Sequence, residues 1–244
     1  MKYTAVIFDL FGTLVDSYSL IRFDNLLAQM AEILGVSRME FVKNWVQEAK
    51  NSMRGRVPDT KTGVRNICTR AGVTPTEAQI MKVVGLRLDF ERRILLNPRP
   101  DALDVLQILK EKGFKLGLIS DCTTEAPQIW QETPMAPFID TAIFSSKVKM
   151  KKPEPGIYRL ATSKLGVSPA DCLYIGDGSS RELTGAFNAG MYPIQVKIIQ
   201  GEESCGYSIV QEKWQGDVIT SFYELLSYLE LPRYSDKLSV LFEY

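Results

Sequence analysis

The hydrophobic positions of this chain follow two alternating patterns: short continuous apolar runs, and longer stretches with an apolar residue every third or fourth position. Continuous runs are typical of strands buried on both faces of a parallel sheet. Four clear runs and a weaker one, at 141–144, predict five strands, at residues 4–8, 115–119, 141–144, 172–175 and 193–198.

Helical periodicity fills most of the segments between these runs. Residues 101–112 and 154–165 repeat apolar positions at helical spacing, and each is followed by a glycine, Gly113 or Gly166, where a helix would stop. Strands that alternate with helices imply parallel pairing through right-handed crossovers. The sequence therefore predicts an α/β fold with a doubly wound parallel sheet.

Residues 16–96 break this alternation, because they contain no convincing strand. Residues 23–34 have helical periodicity, and segments 37–40 and 74–77 match the capping box that opens a helix. In the second segment, Pro75 would occupy the first helical position. An insert directly after the first strand would lie over the carboxyl edge of the sheet, where open α/β folds bind ligands.

The predicted organisation is a core made of residues 1–15 and 97–244, with a helical cap of residues 16–96 inserted into it. Beyond about Cys205 the core is predicted to add one short strand and a helix opened by Ser221.

Composition narrows the choice of partner. The 244 residues include 29 basic and 29 acidic side chains, which argues against nucleic acid or a membrane surface, since both favour a basic excess. A small molecule fits better, and we expect a monomer or a homodimer. No apolar stretch approaches the ~20 residues of a membrane span. Four cysteines without C-x-x-C spacing suit reduced thiols in a cytoplasmic protein.

Histidine is absent from the sequence. Its absence excludes Ser-His-Asp and Cys-His catalysis, and any zinc site that needs an imidazole ligand. Carboxylates, lysines and hydroxyls must therefore carry out any acid–base catalysis and metal binding.

Polar segments lie at or just after the ends of the predicted strands. The first contains Asp9, with Gly12 and Thr13 in the following turn, where a carboxylate can reach the crevice and backbone amides can bind an anion. The second is Ser120 followed by Asp121, and the serine hydroxyl can hold a phosphoryl oxygen.

Two more segments complete this set. Lys152 precedes two prolines that fix the entry to a helix and so hold the lysine in a defined place. Asp177 and Glu182 are paired carboxylates that together suit one hard cation. Taken singly, these signals also describe an N-capping aspartate, a polar turn or a solvated lysine. Their joint placement at one sheet edge favours a single site.

A family resemblance is carried by four segments in order: FDLFGTLVD, GLISD, KKPEPGIY and YIGDGSSRELTGAFNAGM. They resemble, in order and spacing, the four motifs of the haloacid dehalogenase-like hydrolase superfamily, and the match covers nearly the whole chain. The resemblance implies a Rossmann-like core with a helical cap inserted after the first motif. It also implies Mg²⁺-dependent phosphoryl transfer from a small phosphorylated substrate.

The resemblance further implies a role for each matched residue. Asp9 would be the nucleophile that forms an aspartyl-phosphate. Ser120 and Lys152 would bind the transferring group. The ligands of Mg²⁺ would be Asp9, Asp177, Glu182 and the backbone carbonyl of Phe11.

Three positions depart from the family pattern. Phe11 stands where the family's phosphatases have a second Asp as general acid and base, Asp121 stands where Asn is common, and Glu182 replaces the usual Asp. Loss of the general acid would cost roughly 10²–10⁴-fold for a poor leaving group and less for acyl phosphates. Asp121 or a metal-bound water would then have to transfer protons in place of the missing general acid and base.

The departure at Phe11 keeps two alternatives open beside the phosphatase. The family's 2-haloacid dehalogenases have an aromatic residue at this position, whereas the paired acids Asp177 and Glu182 favour Mg²⁺ and a phosphatase. A weakly active or non-catalytic binding protein is the other alternative.

The predicted cap contains a basic segment that could bind an anionic tail of the substrate. Its cations are Arg54, Arg56, Lys61 and Arg65. A solvated surface is the favoured interpretation, because exposed charges usually face water.

Overall fold

The computed structural model describes residues 2–197 and 212–231. Its strands are β1 (Ala5–Phe8), β2 (Lys115–Ser120), β3 (Thr141–Phe144), β4 (Cys172–Gly176), β5 (Tyr192–Val196) and β6 (Val218–Ile219). They form one parallel sheet in the order β3-β2-β1-β4-β5-β6. This arrangement confirms the predicted α/β fold with a Rossmann-like, doubly wound parallel sheet.

The central strand β1 pairs with β2 on one side and β4 on the other. All four of its residues are buried, which explains why the sequence shows an unbroken apolar run there. The five predicted strands are confirmed with ends shifted by at most two residues, and Ile198 of the last prediction lies outside the described residues. The predicted C-terminal strand is β6, whereas Cys205 also lies outside the described residues.

Four helices follow β1 directly and make up what we call the helical insert: α1 (Leu20–Leu34), α2 (Arg38–Met53), α3 (Thr60–Arg70) and α4 (Glu77–Leu95). The remaining described helices are α5 (Pro100–Glu111), α6 (Glu125–Ile129), α7 (Ser145–Val148), α8 (Pro155–Leu165), α9 (Glu182–Asn188) and α10 (Phe222–Tyr228).

The helices predicted at 23–34, 101–112 and 154–165 are confirmed as α1, α5 and α8. Ser221 opens α10 as predicted, since its side chain accepts a hydrogen bond from the backbone N–H of Tyr223 at 3.2 Å. Among the described helices, none is both long and apolar enough to cross a membrane.

Side-chain caps fix where the helices of the insert begin. Ser37 caps α2 at the predicted position. The box predicted at 74–77 is wrong in register, because α4 begins two residues later, with Thr76 as N-cap and Gln79 as its reciprocal partner. Gln79 also donates to the Ile33 carbonyl at 2.7 Å, and this tertiary contact with α1 is invisible to a local sequence pattern.

The helical insert has a hydrophobic core of its own. Phe23, Phe41 and Val83 belong to one buried cluster built within it. The two faces of the sheet are covered by separate clusters, one containing Val6 and the other Ile7. The residue boundaries of core and cap stay a prediction.

Candidate active site

Three adjacent strands end in polar residues at the same edge of the sheet. Asp9 directly follows β1, Ser120 is the last residue of β2, and Asp177 directly follows β4. Because these strands are parallel, their carboxyl ends meet. The backbone N–H of Asp9 donates to the Ile175 carbonyl at 2.8 Å, so the pairing of β1 with β4 continues to the first residue of the site.

A tight turn after β1 holds the Asp9 side chain. Asp9 is buried, and the Thr13 hydroxyl donates to Asp9 Oδ2 at 3.0 Å. Gly12 has a φ of +83°, a conformation that residues with side chains rarely adopt. A Cβ on Gly12 would also lie 3.0 Å from Asp177 Cγ. The turn therefore requires glycine, both for its backbone and for the close approach of the loop after β4.

The buried carboxylate of Glu182 is held by the end of β4. The Tyr174 hydroxyl donates to Glu182 Oε2 at 2.9 Å, and the Gly178 N–H donates to Oε1 at 3.1 Å. A Cβ on Gly176 would lie 2.7 Å from Glu182 Cδ, so this carboxylate packs directly against the strand backbone. The contact between Tyr174 and Glu182 could not be predicted, because Tyr174 lies within an apolar run of the sequence.

Lys152 links two of these acids. Its side chain is 1% exposed, and its ammonium donates to Asp9 Oδ1 and, at 2.5 Å, to Glu182 Oε2. The backbone N–H of Lys152 donates to Asp121 Oδ1 at 3.0 Å. Asp121, predicted to contact substrate, is thus bound to the loop that positions the lysine.

Burial and crowding shift the pKa values of these groups. Burial raises the pKa of Asp9 to about 6, opposed by the charge of Lys152 and reinforced by that of Asp177. Burial also raises the pKa of Glu182 well above its usual range, and Asp9 adds to that shift. Burial alone would lower the pKa of Lys152, but Asp9 and Glu182 raise it well above its usual value. The ammonium stays charged, and the acids need more positive charge to ionise fully.

Asp9, Asp177 and Glu182 form a group that we call the carboxylate cluster. One oxygen of each lies within 4.8 Å of the others. With all three ionised and Lys152 protonated, three negative charges face one positive charge, which leaves two negative charges unbalanced. A divalent cation would balance them, and carboxylate oxygens are the ligands that Mg²⁺ prefers.

Ser120 Oγ is buried and has no hydrogen-bond partner within residues 2–197 and 212–231. Leaving a buried hydroxyl unpaired costs free energy. Because Ser120 ends the strand next to β1, this hydroxyl is available to a ligand at the sheet edge.

The position two residues after Asp9 is aromatic. The Phe11 ring packs on Tyr18 with centroids 5.3 Å apart, and Tyr18 stacks on Phe23 at 5.2 Å. The carbonyl of Phe11, the fourth predicted metal ligand, belongs to the same turn as Gly12. This side of the turn therefore presents an apolar ring and no acid.

Sequence reasoning missed a set of buried charges between the helical insert and the start of α6, which we call the buried charged network. Arg87 Nη1 donates to Glu91 Oε2 at 2.7 Å, and Arg87 Nη2 lies 3.7 Å from Glu125 Oε2. The Tyr18 hydroxyl donates to Glu91 at 2.8 Å, and the Thr60 hydroxyl donates to Glu125 at 2.9 Å. The only sequence signal was the i,i+4 spacing of Arg87 and Glu91, which solvated pairs share.

Three of the four cations in the basic segment of the insert are paired with acids. Arg54 lies 2.9 Å from Glu154, Arg65 lies 2.7 Å from Glu77, and Lys61 also pairs with Glu77. These cations are well exposed and already have partners, so the solvated-surface interpretation holds for them.

A parallel sheet that brings a buried aspartate, a lysine and two further acids to its carboxyl edge defines an α/β protein with a candidate cation site. Residues 3–190 match the family model for haloacid dehalogenase-like hydrolases. The chain therefore belongs to the haloacid dehalogenase-like hydrolase family, as its motifs indicated.

Similar proteins include phosphatases and dehalogenases. A glyceraldehyde 3-phosphate phosphatase of Methanopyrus kandleri is 31% identical over 131 residues, which are 52% of this chain and 55% of that protein. The chain thus spans about half the length of this relative.

Two solved structures share the fold. A 2-haloacid dehalogenase from Pseudomonas syringae superposes with a TM-score of 0.68 at 21% identity, over 93% of this chain and 98% of that one. A family member from Bacteroides thetaiotaomicron, in complex with magnesium and inorganic phosphate, superposes with a TM-score of 0.59 at 18% identity, over 84% and 97%.

Proposed function

We propose that this chain is a Mg²⁺-dependent phosphatase that acts on a small phosphorylated metabolite through an aspartyl-phosphate on Asp9. The observation that carries the proposal is the carboxylate cluster with the Lys152 ammonium bound to Asp9 Oδ1. Phosphoryl transfer needs little more than a positioned nucleophile and positive charge around the phosphate. Family membership and the similarity to the M. kandleri phosphatase support this assignment.

The carboxylate cluster fits a divalent cation, which Asp9, Asp177 and Glu182 would hold together with the Phe11 carbonyl. The two unbalanced negative charges and the raised pKa values of Asp9 and Glu182 both favour added positive charge. When bound, Mg²⁺ supplies charge neutralisation between an attacking carboxylate and phosphate oxygens. The magnesium and phosphate in the B. thetaiotaomicron enzyme support this choice of metal.

In the first step Asp9 attacks phosphorus. A bond forms between one Asp9 oxygen and phosphorus, while the bond from phosphorus to the leaving-group oxygen breaks and its electron pair departs with that oxygen. The Lys152 ammonium, held by two acids, binds a phosphoryl oxygen. Ser120 Oγ donates to another, which gives the unpaired hydroxyl a partner.

In the second step a water oxygen attacks the phosphorus of the aspartyl-phosphate. The bond between phosphorus and Asp9 breaks, so inorganic phosphate leaves and the carboxylate is restored. Phe11 cannot transfer a proton, so the leaving group departs as an anion or takes its proton from water. The first step, in which this leaving group departs, therefore favours substrates with acidic leaving groups, such as acyl phosphates.

The helical insert would act as the cap that covers the substrate. Its contacts support this role, because Arg87 and Thr60 bind Glu125 at the start of α6, and Arg54 pairs with Glu154 at the start of α8. Closure by such a segment excludes water from the reacting groups.

We also propose a cytoplasmic location, where thiols stay reduced. The free and buried state of Cys68, Cys122 and Cys172 supports it.

A phosphate-release screen over aryl, alkyl and acyl phosphates tests the function. We expect release with Mg²⁺, and no release with EDTA or in Asp9→Asn. Asp104→Asn, at an exposed position on α5, is the matched control and should keep full activity. Turnover that survives EDTA or Asp9→Asn would contradict the proposal. A metal that binds without turnover of any phosphate would instead indicate a non-catalytic member.

A 2-haloacid dehalogenase is the second candidate, and Phe11 is the observation that favours it. Displacement of halide by the Asp9 carboxylate needs no proton on the leaving group, so an aromatic residue at position 11 costs nothing there. Metal-independent halide release from 2-chloropropionate, with no phosphate release from the same panel, would establish this alternative.

A further inference from the structure

A large groove opens beside the carboxylate cluster, and we call it the insert groove. Its volume is about 880 Å³, which is within the range of small-molecule sites. Side chains of α1 and α4 form its walls, and the segments that join the helical insert to the sheet form its inner end, at Asp16 and Ser17. The groove adjoins the carboxylate cluster but does not include it.

The inner end of the groove lies against the turn that carries Gly12. A Cβ on Gly12 would lie 3.0 Å from Asp177 Cγ and 3.4 Å from Ser17 Oγ, so this turn separates the cluster from the groove by one residue. Arg99 donates to the Gly12 carbonyl at 3.4 Å and pairs with Asp16 at 3.2 Å. We therefore require of a substrate that its phosphoryl group lies at the cluster and that its leaving group passes this turn into the groove.

Both acids that line the groove are already paired with arginines. Asp16 lies 3.2 Å from Arg99, and Asp89 lies 3.2 Å from Arg92. Their negative charges are therefore balanced by side chains next to them.

Two guanidinium groups of the groove are not balanced in this way. Arg22 lies on α1 and Arg93 on α4, and both line the groove. Within residues 2–197 and 212–231, neither guanidinium forms a hydrogen bond or an ion pair. Two free guanidiniums on separate helices suit an anionic group such as phosphate or carboxylate.

The rest of the groove suits a hydroxylated ring. Phe90 lines one wall, and its ring packs on Tyr18 at 5.7 Å, which in turn packs on Phe11 at 5.3 Å. These ring contacts connect the turn after Asp9 to the wall of the groove. Asn25 and Gln29 add amide groups that can bind hydroxyls.

We propose that the insert groove binds the leaving-group portion of a sugar-sized phosphorylated substrate that carries a second anionic group, with Arg22 and Arg93 binding that second group. This inference rests on the proposed phosphatase function and specifies its substrate class. A monophosphate without a second anion would leave both guanidiniums without a ligand.

Calorimetric titration of Asp9→Asn with Mg²⁺ present tests the proposal without turnover. The two probes are fructose 1,6-bisphosphate and fructose 6-phosphate, which differ by one phosphate. We expect tighter binding of the bisphosphate, and loss of about tenfold or more of its affinity in the double variant R22Q/R93Q, because both charge-assisted contacts to the second phosphate are lost. Binding of the monophosphate should change by less than about twofold, which falls within ordinary surface effects.

Lys82→Gln is the matched control, because it removes one positive charge from the exposed surface of α4 outside the groove and should leave both affinities unchanged. Thermal unfolding checks that each variant is folded, and the single variants R22Q and R93Q replace the double variant if it is not. Equal affinity for the two sugars, or an equal loss for both in the arginine variants, would overturn the proposal.

The same experiment keeps this inference distinct from the proposed function. Wild-type turnover of a small aryl phosphate, with no preference for the bisphosphate in binding, would overturn the groove assignment alone. A bisphosphate preference that depends on Arg22 and Arg93, without phosphate release from any compound, would support the groove and contradict the phosphatase.

Discussion

Gly12 and Asp177 lie so close together that any side chain on Gly12 would meet the Asp177 carboxylate. The two residues belong to the turns that follow β1 and β4, adjacent parallel strands that are distant in sequence. Strand pairing places the two turns side by side, and the missing side chain of Gly12 leaves room for Asp177 there. The carboxylate cluster therefore depends on a backbone approach as much as on its acids.

Gly12→Ala should weaken Mg²⁺ binding and lower phosphate release roughly 10²-fold, because even a small displacement of a reacting group has an effect of that size. The positive φ adds strain of about 1–2 kcal/mol. Gly35→Ala is the control, since Gly35 also has a positive φ of 67° but no atom within 4 Å of an added Cβ. Melting temperatures and Mg²⁺ titrations of both variants separate strain from displacement. Unchanged Mg²⁺ dependence in Gly12→Ala would contradict this account.

Phe11→Asp should raise kcat/KM for alkyl phosphates by roughly 10²-fold, because it adds an acid that can protonate a poor leaving group. Aryl and acyl phosphates should gain little, since their leaving groups depart without a proton. Plotting rate against leaving-group pKa for wild type and variant measures this difference. The variant should also melt at a lower temperature, because it loses the ring contact with Tyr18. A uniform gain over all substrates would argue against a role as general acid.

Arg87→Met should destabilise the protein by about 3–5 kcal/mol, because it leaves the buried acids Glu91 and Glu125 without their cation. Arg92→Met, on the same helix but at an exposed ion pair, should cost at most about 1 kcal/mol. Urea denaturation at neutral pH compares the two variants. Equal losses of unfolding free energy in the two variants would show that the buried charged network stabilises the protein no more than an exposed ion pair does.

The pH dependence of stability should change in Glu91→Gln. Burial raises the pKa of Glu91, opposed by Arg87 and reinforced by Glu125, while the Tyr18 hydroxyl bond lowers that pKa. A carboxyl whose pKa is raised on folding stabilises the fold below its unfolded pKa, and this stabilisation is lost as pH rises through the folded pKa.

Glutamine imitates the protonated acid, so the stability of Glu91→Gln relative to wild type should rise as pH increases from about 4, below the unfolded pKa of Glu, towards neutrality. Melting temperatures of both proteins across this range provide the measurement. A melting-temperature difference between variant and wild type that stays constant or falls as pH rises would contradict a raised pKa of Glu91.

The fold was predictable because its signals are local. A strand such as β1 is buried on both faces and so appears as an unbroken apolar run, and Gly113 and Gly166 mark helix ends directly. The α4 cap was misplaced because Gln79 takes part in a contact with Ile33 of α1, and no local pattern reports such a contact.

The identity of the site residues was also predictable, whereas their partners were not. Asp9, Lys152, Asp177 and Glu182 each stand at a strand end or a helix entry, and the family motifs select the same residues. That Lys152 bridges two acids, and that Tyr174 donates to Glu182, depends on side-chain directions across three strands.

The two cations of the groove could not be predicted either, because their position also depends on packing between elements that are distant in sequence. Arg54 and Arg65 form a conspicuous basic segment, yet the structure pairs both with acids. Arg22 and Arg93 are far apart in sequence, and only the packing of α1 against α4 places them on one groove.

Mass spectrometry of the acid-quenched enzyme, taken during turnover of an acyl phosphate with Mg²⁺, tests the central claim most directly. The account predicts one added phosphoryl group on the peptide that contains Asp9, absent with EDTA and absent in Asp9→Asn. A phosphoryl group on a different residue, or full turnover with no phosphorylated enzyme under conditions that preserve an acyl phosphate, would contradict it.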